Sequence, residues 1–490
     1  MSLAPRNLVI LLSDEHNSAA MGCAGHAEVL TPNLDALAAR GTRFTAAYTA
    51  SPICVPARTA LANGRYVHEA GYWDNVDAWD GKTRSWHHVL RDHGHTVVSI
   101  GKLHYRGWAG DDYGFTESQI PMHIHEGRGE VRMLLRNPPP DLGDGSGFLG
   151  KAGPGESDYT RYDRDITARA LKWIADQAAK PSAKPWVLMV SIVAPHFPLI
   201  APQEFHDIYA GRPLAMPKAY RYGTDQPHPF LQLYSEISGY NRHFRNEDDV
   251  RRALAAYYGL TSFMDDNMGR VLDAIGDAGL ADSTRVLYLS DHGEHAGTRG
   301  LWGKGTMYEE SAGVPMILVG ADIPSGTTVA APVSHIDVYD TVLDCVGLSR
   351  EYSAASPHAR SLFDTLRESL PGSNAPDANR AVISEYHTVG TRSAVFMLRD
   401  ARYKYVHCVG LDAQLFDLDA DPQELLDLAG RPESKAILYR CRARLGEFLD
   451  PEETDRRAKA RQKELIDFYG GEEAIRKTRG TPGYTPPPKA

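Results

Sequence analysis

Two acidic pairs and a cysteine carry most of the chemistry this sequence can do. Asp14 and Glu15 lie in "SDEHN", Asp291 and His292 in "DHGEHAG", and Cys54 in "SPICVPARTALANGR". Oxygen-rich with one imidazole, the set Asp14, Glu15, Asp291 and His292 suits a hard divalent cation better than a thiolate-type zinc site. Calcium is the first choice, with manganese or magnesium as alternatives because of His292. A single Asp-His pair serves mostly to cap a turn, so the weight rests on several such clusters occurring together. Lys102 and His104 in "GKLHYRG", His196 in "APHFP" and Lys304 in "LWGKGTMYEES" add the positive charge and proton donors that an anionic tetrahedral substrate needs. Lys304 stands between two glycines, where backbone can approach a ligand closely. Cys54 immediately precedes a helix that Pro56 would open, near unpaired N–H groups and the positive end of the helix dipole. One turn on, Arg58 lies on the same helix.

These clusters need elements to bring them together, and each follows a short apolar run: "NLVILL" (7–12), "TVVSI" (96–100), "WVLMVSIV" (186–193) and "RVLYLS" (285–290), with "VPMILVG" (314–320) as a fifth. Continuous β-branched runs separated by helical patterns predict an α/β fold with a mostly parallel sheet covered on both faces. Ligands bind beyond the carboxyl ends of strands in such sheets, so the four polar clusters should converge. "TPNLDALAARG" predicts a helix with Thr31 as N-cap, Pro32 in its first position and Gly41 as its stop. The stretch from about 105 to 165, rich in Gly, Pro and Asp, reads as long loops overhanging the site. After about residue 350, strand-like runs follow one another without helices between them ("RAVISEYH", "SAVFMLRD", "RYKYVHC", "AQLFDL"). They predict a smaller α+β subdomain with an antiparallel sheet, dividing the chain into 1–375 and 376–490. "KAILYRCRARLGEFL" (435–449) has helical spacing, "PEETDRRAKARQKELIDF" reads as a solvated helix, and "GTPGYTPPPKA" as an extended tail suited to packing on a partner subunit.

Composition closes off other classes. The 490 residues are 42% hydrophobic and 24% charged with a net charge of −10, a soluble globular profile without the clustered basic footprint of a nucleic-acid binder. Five cysteines in unpaired spacing form no disulfide framework and suit a reducing compartment. No apolar run approaches the roughly 18 residues of a spanning helix, and no leader with a cleavage site precedes "NLVILL". No membrane association and a cytoplasmic setting are therefore expected. A symmetric homo-oligomer, a dimer or higher, is the default assembly.

Cys54-Val55-Pro56-Ala57-Arg58 resembles the C-x-P-x-R motif of the formylglycine-dependent sulfatases of the alkaline phosphatase superfamily, near the arylsulfatase, choline-sulfatase and phosphonate monoester hydrolase branches. The resemblance extends to "TPNLDALAARGTRF", "GRYVHEAGYWDN", "GKLHYRG", "APHFPL", "SDHGEHAGTRGLWGKGTMYEES" and "LFDLDADPQELLDLA". It implies an alkaline-phosphatase-like fold and conversion of Cys54 to formylglycine by a formylglycine-generating enzyme. One hydroxyl of the aldehyde hydrate attacks sulfur, displaces the ester oxygen and becomes sulfated; loss of the other's proton then re-forms the aldehyde as the C–O bond to sulfate breaks, and the resemblance implies that Arg58, one turn beyond position 54, holds the deprotonated hydroxyl. It implies Asp14, Asp291, His292 and modified position 54 as metal ligands. Glu15 departs from the Asp, Asn or Gln usual at its place, and either ligates or reaches a neighbouring histidine. Lys102 and Lys304 match sulfate contacts, His104 the residue assisting turnover of the hydrate, and His196 the general acid. Asn75 in "YWDN" matches an asparagine that contacts the tetrahedral group. The implied activity is hydrolysis of small aryl or alkyl sulfates. A phosphonate monoester or phosphodiester hydrolase using the same nucleophile is the alternative, with promiscuity for both expected, and a non-catalytic anion binder with a plain thiol is the third reading. The aromatic residues of "GYWDNVDAW" with Trp108 and Tyr113 serve either as a pocket lining or as core and rim packing.

Overall fold

The computed structural model describes residues 4–140, 147–180, 182–220, 226–370, 380–478 and 485–488. The central sheet has eight strands: β1 (Asn7–Asp14), β2 (Thr42–Phe44), β3 (Val97–Lys102), β4 (Glu117–Met122), β5 (Val187–Pro195), β6 (Thr284–Ser290), β7 (Met316–Val319) and β8 (Thr327–Val329). Their spatial order is β8-β2-β7-β6-β1-β5-β3-β4. The five apolar runs are five of these strands, and β6, β1, β5 and β3 are parallel neighbours. Only β7 runs antiparallel, against β6 and β2.

Strand β1 shows why apolar runs of this kind demand cover on both faces. Leu8, Ile10 and Leu12 point into one core cluster and Val9 and Leu11 into the other, because successive side chains alternate across a sheet. The first face is covered by α2 (Cys54–Asn63), α3 (Trp86–Asp92) and α6 (Asp337–Val346); the second by α1 (Pro32–Ala39), α4 (Asp158–Ala179) and α5 (Glu247–Asp277). Each fully buried leucine or isoleucine contributes roughly 1.5–3 kcal/mol.

Helix α1 begins and ends close to expectation, for different reasons. Thr31 makes no side-chain cap bond. Instead, Asp265 of α5 accepts the N–H groups of Asn33 and Leu34 at 3.0 and 2.8 Å. Gly41 is required because a Cβ there would lie 2.4 Å from the Leu318 carbonyl oxygen; it permits close packing on β7 rather than a left-handed stop. The 105–165 stretch is more ordered than a run of loops. It contains edge strand β4, whose polar "ESQIPM" carries a proline tolerated only at an edge, and it ends inside α4, opened by Ser157 accepting the Thr160 N–H at 3.1 Å.

The expected antiparallel sheet is present as β9 (Val382–Tyr386), β10 (Val395–Arg399), β11 (Tyr403–Cys408) and β12 (Gln414–Asp417), in sequential order. Helices α7 (Lys435–Leu445) and α8 (Pro451–Phe468) follow. Residue 375, the expected boundary, lies outside the described residues. Helix α8 is more than a solvated helix: Gln462 is buried and donates to Asp74 Oδ2 at 2.9 Å and to the His387 carbonyl. The tail is described only at 485–488, where the Thr485 carbonyl accepts the Tyr159 hydroxyl of the same chain at 2.7 Å. The described cysteines are all unpaired, and no helix of the described residues is long and apolar enough to cross a membrane.

Candidate active site

Strands β6, β1, β5 and β3 end side by side and deliver Asp291-His292, Asp14-Glu15, His196 and Lys102-His104 to one place. Helix α2 adds Cys54 and Arg58, its first residue being Cys54 itself rather than Pro56. Asp14, Glu15, Lys102, Asp291 and His292 are wholly buried, and Cys54, Arg58, His104 and His196 nearly so. Lys304 and Asn75 are the partly exposed members, so they mark the mouth of the site.

One ligand atom each from Asp14, Cys54, Asp291 and His292 lies within 4.8 Å of the other three. His292 Nδ1 faces the Gly293 carbonyl at 3.1 Å. A carbonyl only accepts, so the proton sits on Nδ1 and the Nε2 lone pair points inward, 3.1 Å from Cys54 Sγ. Burial pushes the His292 pKa down, keeping the ring neutral as a ligand must be. Burial alone would raise Asp14, but Lys102, His196 and Arg58 outweigh it and hold its carboxyl well below the usual range. Two carboxylates and one neutral imidazole, with Cys54 Sγ beside them, are a donor set that could hold one hard divalent ion. Glu15 is not in this group; it forms a second cluster with His196 and the shared Asp14.

Nε of Arg58 donates to Asp291 Oδ2 at 2.7 Å, Nη2 to Asp14 Oδ2 at 2.9 Å, and Nη1 to the Lys102 carbonyl and Ser191 Oγ. Its planar fork matches the two carboxylates, so it clamps Asp14 and Asp291 beside Cys54. Lys102 Nζ is 2.5 Å from Asp14 Oδ2. Lys304 Nζ lies 3.3 Å from Cys54 Sγ and 3.1 Å from Glu15 Oε2. Burial pulls the Lys304 pKa down, yet Cys54 and Glu15 together raise it well above the usual lysine value. Among the described residues, neither ring nitrogen of His104 has a hydrogen-bond partner; burial lowers its pKa, so the neutral ring offers one N–H and one lone pair to a reacting group. Asn75 Oδ1 accepts the Val55 N–H at 3.0 Å, fixing its amide beside the first turn of α2.

Residues the sequence did not single out complete the geometry. Asp163 on α4 accepts the N–H groups of Val193 and Ala194 at 2.7 and 2.8 Å, setting the backbone that leads into His196; its capped helix was the available signal. Ser191 steadies Arg58. The aromatic residues are packing: Trp79 is wholly buried against Tyr105, and Trp73 lies against His387. Trp108 is on the surface beneath the Arg106 guanidinium.

Comparison with known proteins agrees with this arrangement. The Sulfatase family profile matches residues 6–348, and that of the N-sulphoglucosamine sulphohydrolase C-terminal region matches 293–450. Choline-sulfatase of Rhizobium meliloti is 30% identical over 440 residues, covering 88% of this chain and 84% of its own. Arylsulfatase K of Danio rerio is 29% identical, covering 87% and 80%. Phosphonate monoester hydrolase of Agrobacterium radiobacter superposes with a TM-score of 0.72 at 22% identity, covering 93% of this chain and 96% of that one. With the family profile spanning most of the chain and a relative 30% identical over most of both chains, the chain belongs to the sulfatase family and is a sulfuric ester hydrolase.

Proposed function

We propose that the protein hydrolyses monoanionic sulfate esters, aryl or small alkyl, with position 54 as nucleophile after conversion of Cys54 to formylglycine by a formylglycine-generating enzyme. The observation that carries this is the state of the thiol. Burial first, then Asp14, push Cys54 up to about 12, so the groups around it yield no thiolate at neutral pH, and the thiolate is the reactive form. A buried, inert sulfur among hard ligands makes chemical sense as the precursor of an oxygen nucleophile. Formylglycine supplies a hydrate with one hydroxyl to attack and one to restore the aldehyde. A divalent ion, calcium by preference, held by Asp14, Asp291, His292 and position 54, supplies charge that acidifies a bound hydroxyl.

The chain's own residues do the rest. Arg58 holds the Asp14 and Asp291 carboxylates in place, and with Lys102 it keeps Asp14 ionised. Lys304 at the mouth, and Asn75 through its amide nitrogen, bind the sulfate oxygens. His196 keeps one proton on Nδ1, facing the Phe197 carbonyl at 2.6 Å, so the general acid is the doubly protonated ring, which donates from Nε2 to the leaving oxygen. His104, without partners of its own, serves the hydroxyl at position 54.

A phosphonate monoester or phosphodiester carries the same single negative charge, and the likeness to a phosphonate monoester hydrolase fold keeps that activity as a secondary one. Parallel kinetics on a nitrophenyl sulfate and a nitrophenyl phosphonate monoester test the assignment: a higher kcat/KM for the sulfate is expected, and the reverse order overturns it. Mass spectrometry of the peptide spanning Cys54 tests the nucleophile. An unaltered thiol in the active protein would remove the mechanism.

A further inference from the structure

Glu15 is adjacent in sequence to a cation ligand but directed elsewhere. Its backbone is left-handed, with φ of 66°, unusual for a side chain with a Cβ and maintained only where surroundings compel it. Those surroundings are visible: the Glu15 N–H donates to Asp291 Oδ1 at 3.2 Å, and its carbonyl accepts the Tyr257 hydroxyl at 3.2 Å. The turn carries the carboxylate past the Asp14–Asp291–His292 cluster. Oε2 comes to rest 3.2 Å from His196 Nε2 and 3.1 Å from Lys304 Nζ. Each of these two residues is then held on two sides. His196 has the Phe197 carbonyl at Nδ1 and Glu15 at Nε2. Lys304 has Glu15 on its ammonium, the Phe197 ring 5.3 Å away, and its backbone carbonyl bonded by the Tyr234 hydroxyl.

We infer that Glu15 is a positioning residue that fixes the leaving-group acid His196 and the sulfate-binding Lys304, and that it is not a ligand of the divalent ion. An aspartate at this position, one methylene shorter, would keep a charge beside the ion and fall short of the histidine and lysine. The extra methylene of glutamate thus transfers the carboxylate from one task to the other. A second ion between Asp14, Glu15 and His196 is disfavoured by the two ammonium groups already there, Lys102 on Asp14 and Lys304 on Glu15.

The leaving-group arm of the test rests on the sulfatase reading above; the metal arm does not. Chelated protein is titrated with Co²⁺, following stoichiometry, affinity and the ligand-field absorption bands. Glu15→Ala is expected to bind one ion per chain, with affinity within about tenfold of wild type and unaltered bands, whereas Asp291→Ala loses about 10- to 100-fold. Changed bands or a loss in Glu15→Ala matching that of Asp291→Ala make Glu15 a ligand and overturn the inference, as does a stoichiometry of two that falls to one on substitution. In turnover, Glu15→Ala and Glu15→Asp should lower kcat/KM for alkyl sulfates by about tenfold more than for nitrophenyl sulfate, as His196→Ala does. Glu15→Gln, which retains the reach, should recover part of the loss, and adding Glu15→Ala to His196→Ala should lower both esters alike through Lys304 without widening the alkyl-to-nitrophenyl gap. Equal losses on both esters in Glu15→Ala alone, or a gap that widens further in the double variant, refute the link to His196. If wild-type enzyme turns over no sulfate ester, the functional reading fails while the cobalt titration still decides whether Glu15 is a ligand.

Discussion

Replacing Arg58 by methionine removes a cation that the site needs even before substrate arrives. The guanidinium is 2% exposed and makes two charged hydrogen bonds, to Asp291 and Asp14, and two to neutral acceptors, the Lys102 carbonyl and Ser191. Methionine fills much of the volume but leaves two buried carboxylates short of positive charge. Removing one partner of a buried ion pair costs about 3–5 kcal/mol. Unfolding entropy near 2.1 cal/mol/K per residue, over 490 residues, is about 1 kcal/mol/K, so the Tm of the chelated protein should fall by about 3–5 °C if it unfolds as one unit. A divalent ion among the same carboxylates replaces part of the missing charge, so added metal should raise the Tm of Arg58→Met more than that of wild type. Differential scanning calorimetry with chelator and with saturating metal measures both shifts. A chelated Tm within 1 °C of wild type, or a smaller metal response in the variant, refutes the clamp.

Three other outcomes follow from the same geometry. Cys54→Ser supplies one hydroxyl where the hydrate supplies two, so after exposure to an aryl sulfate its intact mass should rise by one sulfo group and persist, with steady turnover lost; no mass change counts against nucleophilic attack from this position. Asp163→Asn sets an amide N–H against one of the two backbone N–H groups that the carboxylate now accepts, which costs about 1–3 kcal/mol; it should displace His196 and impair alkyl sulfates more than nitrophenyl sulfate, measured as separate kcat/KM values. His16 is buried, its Nε2 facing the Ala20 carbonyl and its Nδ1 the Tyr288 hydroxyl, and burial lowers its pKa to about 4. Below pH 6.5 the unfolded chain therefore binds a proton the folded one refuses, so this residue's contribution of about 3 kcal/mol is complete above pH 6.5 and lost progressively toward pH 4. His16→Gln should flatten the Tm–pH curve in that window, and an unchanged slope counts against the assignment.

The parts of the fold legible in the sequence are those with strong local signals. The buried strands are continuous apolar runs, the C-terminal strands are separated only by turn residues, and α7 and α8 follow plain helical spacing. Strands β2, β4 and β8 escaped because "TRF" and "TTV" are three residues long and "ESQIPM" is polar and contains proline, as an edge permits. The site's membership was legible for one topological reason: each polar cluster directly follows a buried strand. Its internal wiring was not. Spacing puts Arg58 one turn beyond Cys54 but cannot reveal that Asp14 and Asp291, from two other strands, occupy its donors. Nor can it show that a left-handed backbone at Glu15 redirects a side chain adjacent to a ligand.

That wiring narrows the substrate by charge. Counted from the sequence, Arg58, Lys102 and Lys304 face the anion along with the metal. In the folded site, Arg58 and Lys102 together balance Asp14 and Asp291, which leaves Lys304 and the two charges of a divalent ion. Lys304 is itself shared with Glu15, whose carboxyl burial raises to about 8 against the pull of Lys304. An ionised oxygen at position 54 would take back one charge of the ion. The surplus is positive in every case, which favours an anionic ester and the negative charge that develops on its leaving oxygen. Sulfate esters and phosphonate monoesters, each with one negative charge, both satisfy it, so charge alone does not separate them and the parallel kinetics do.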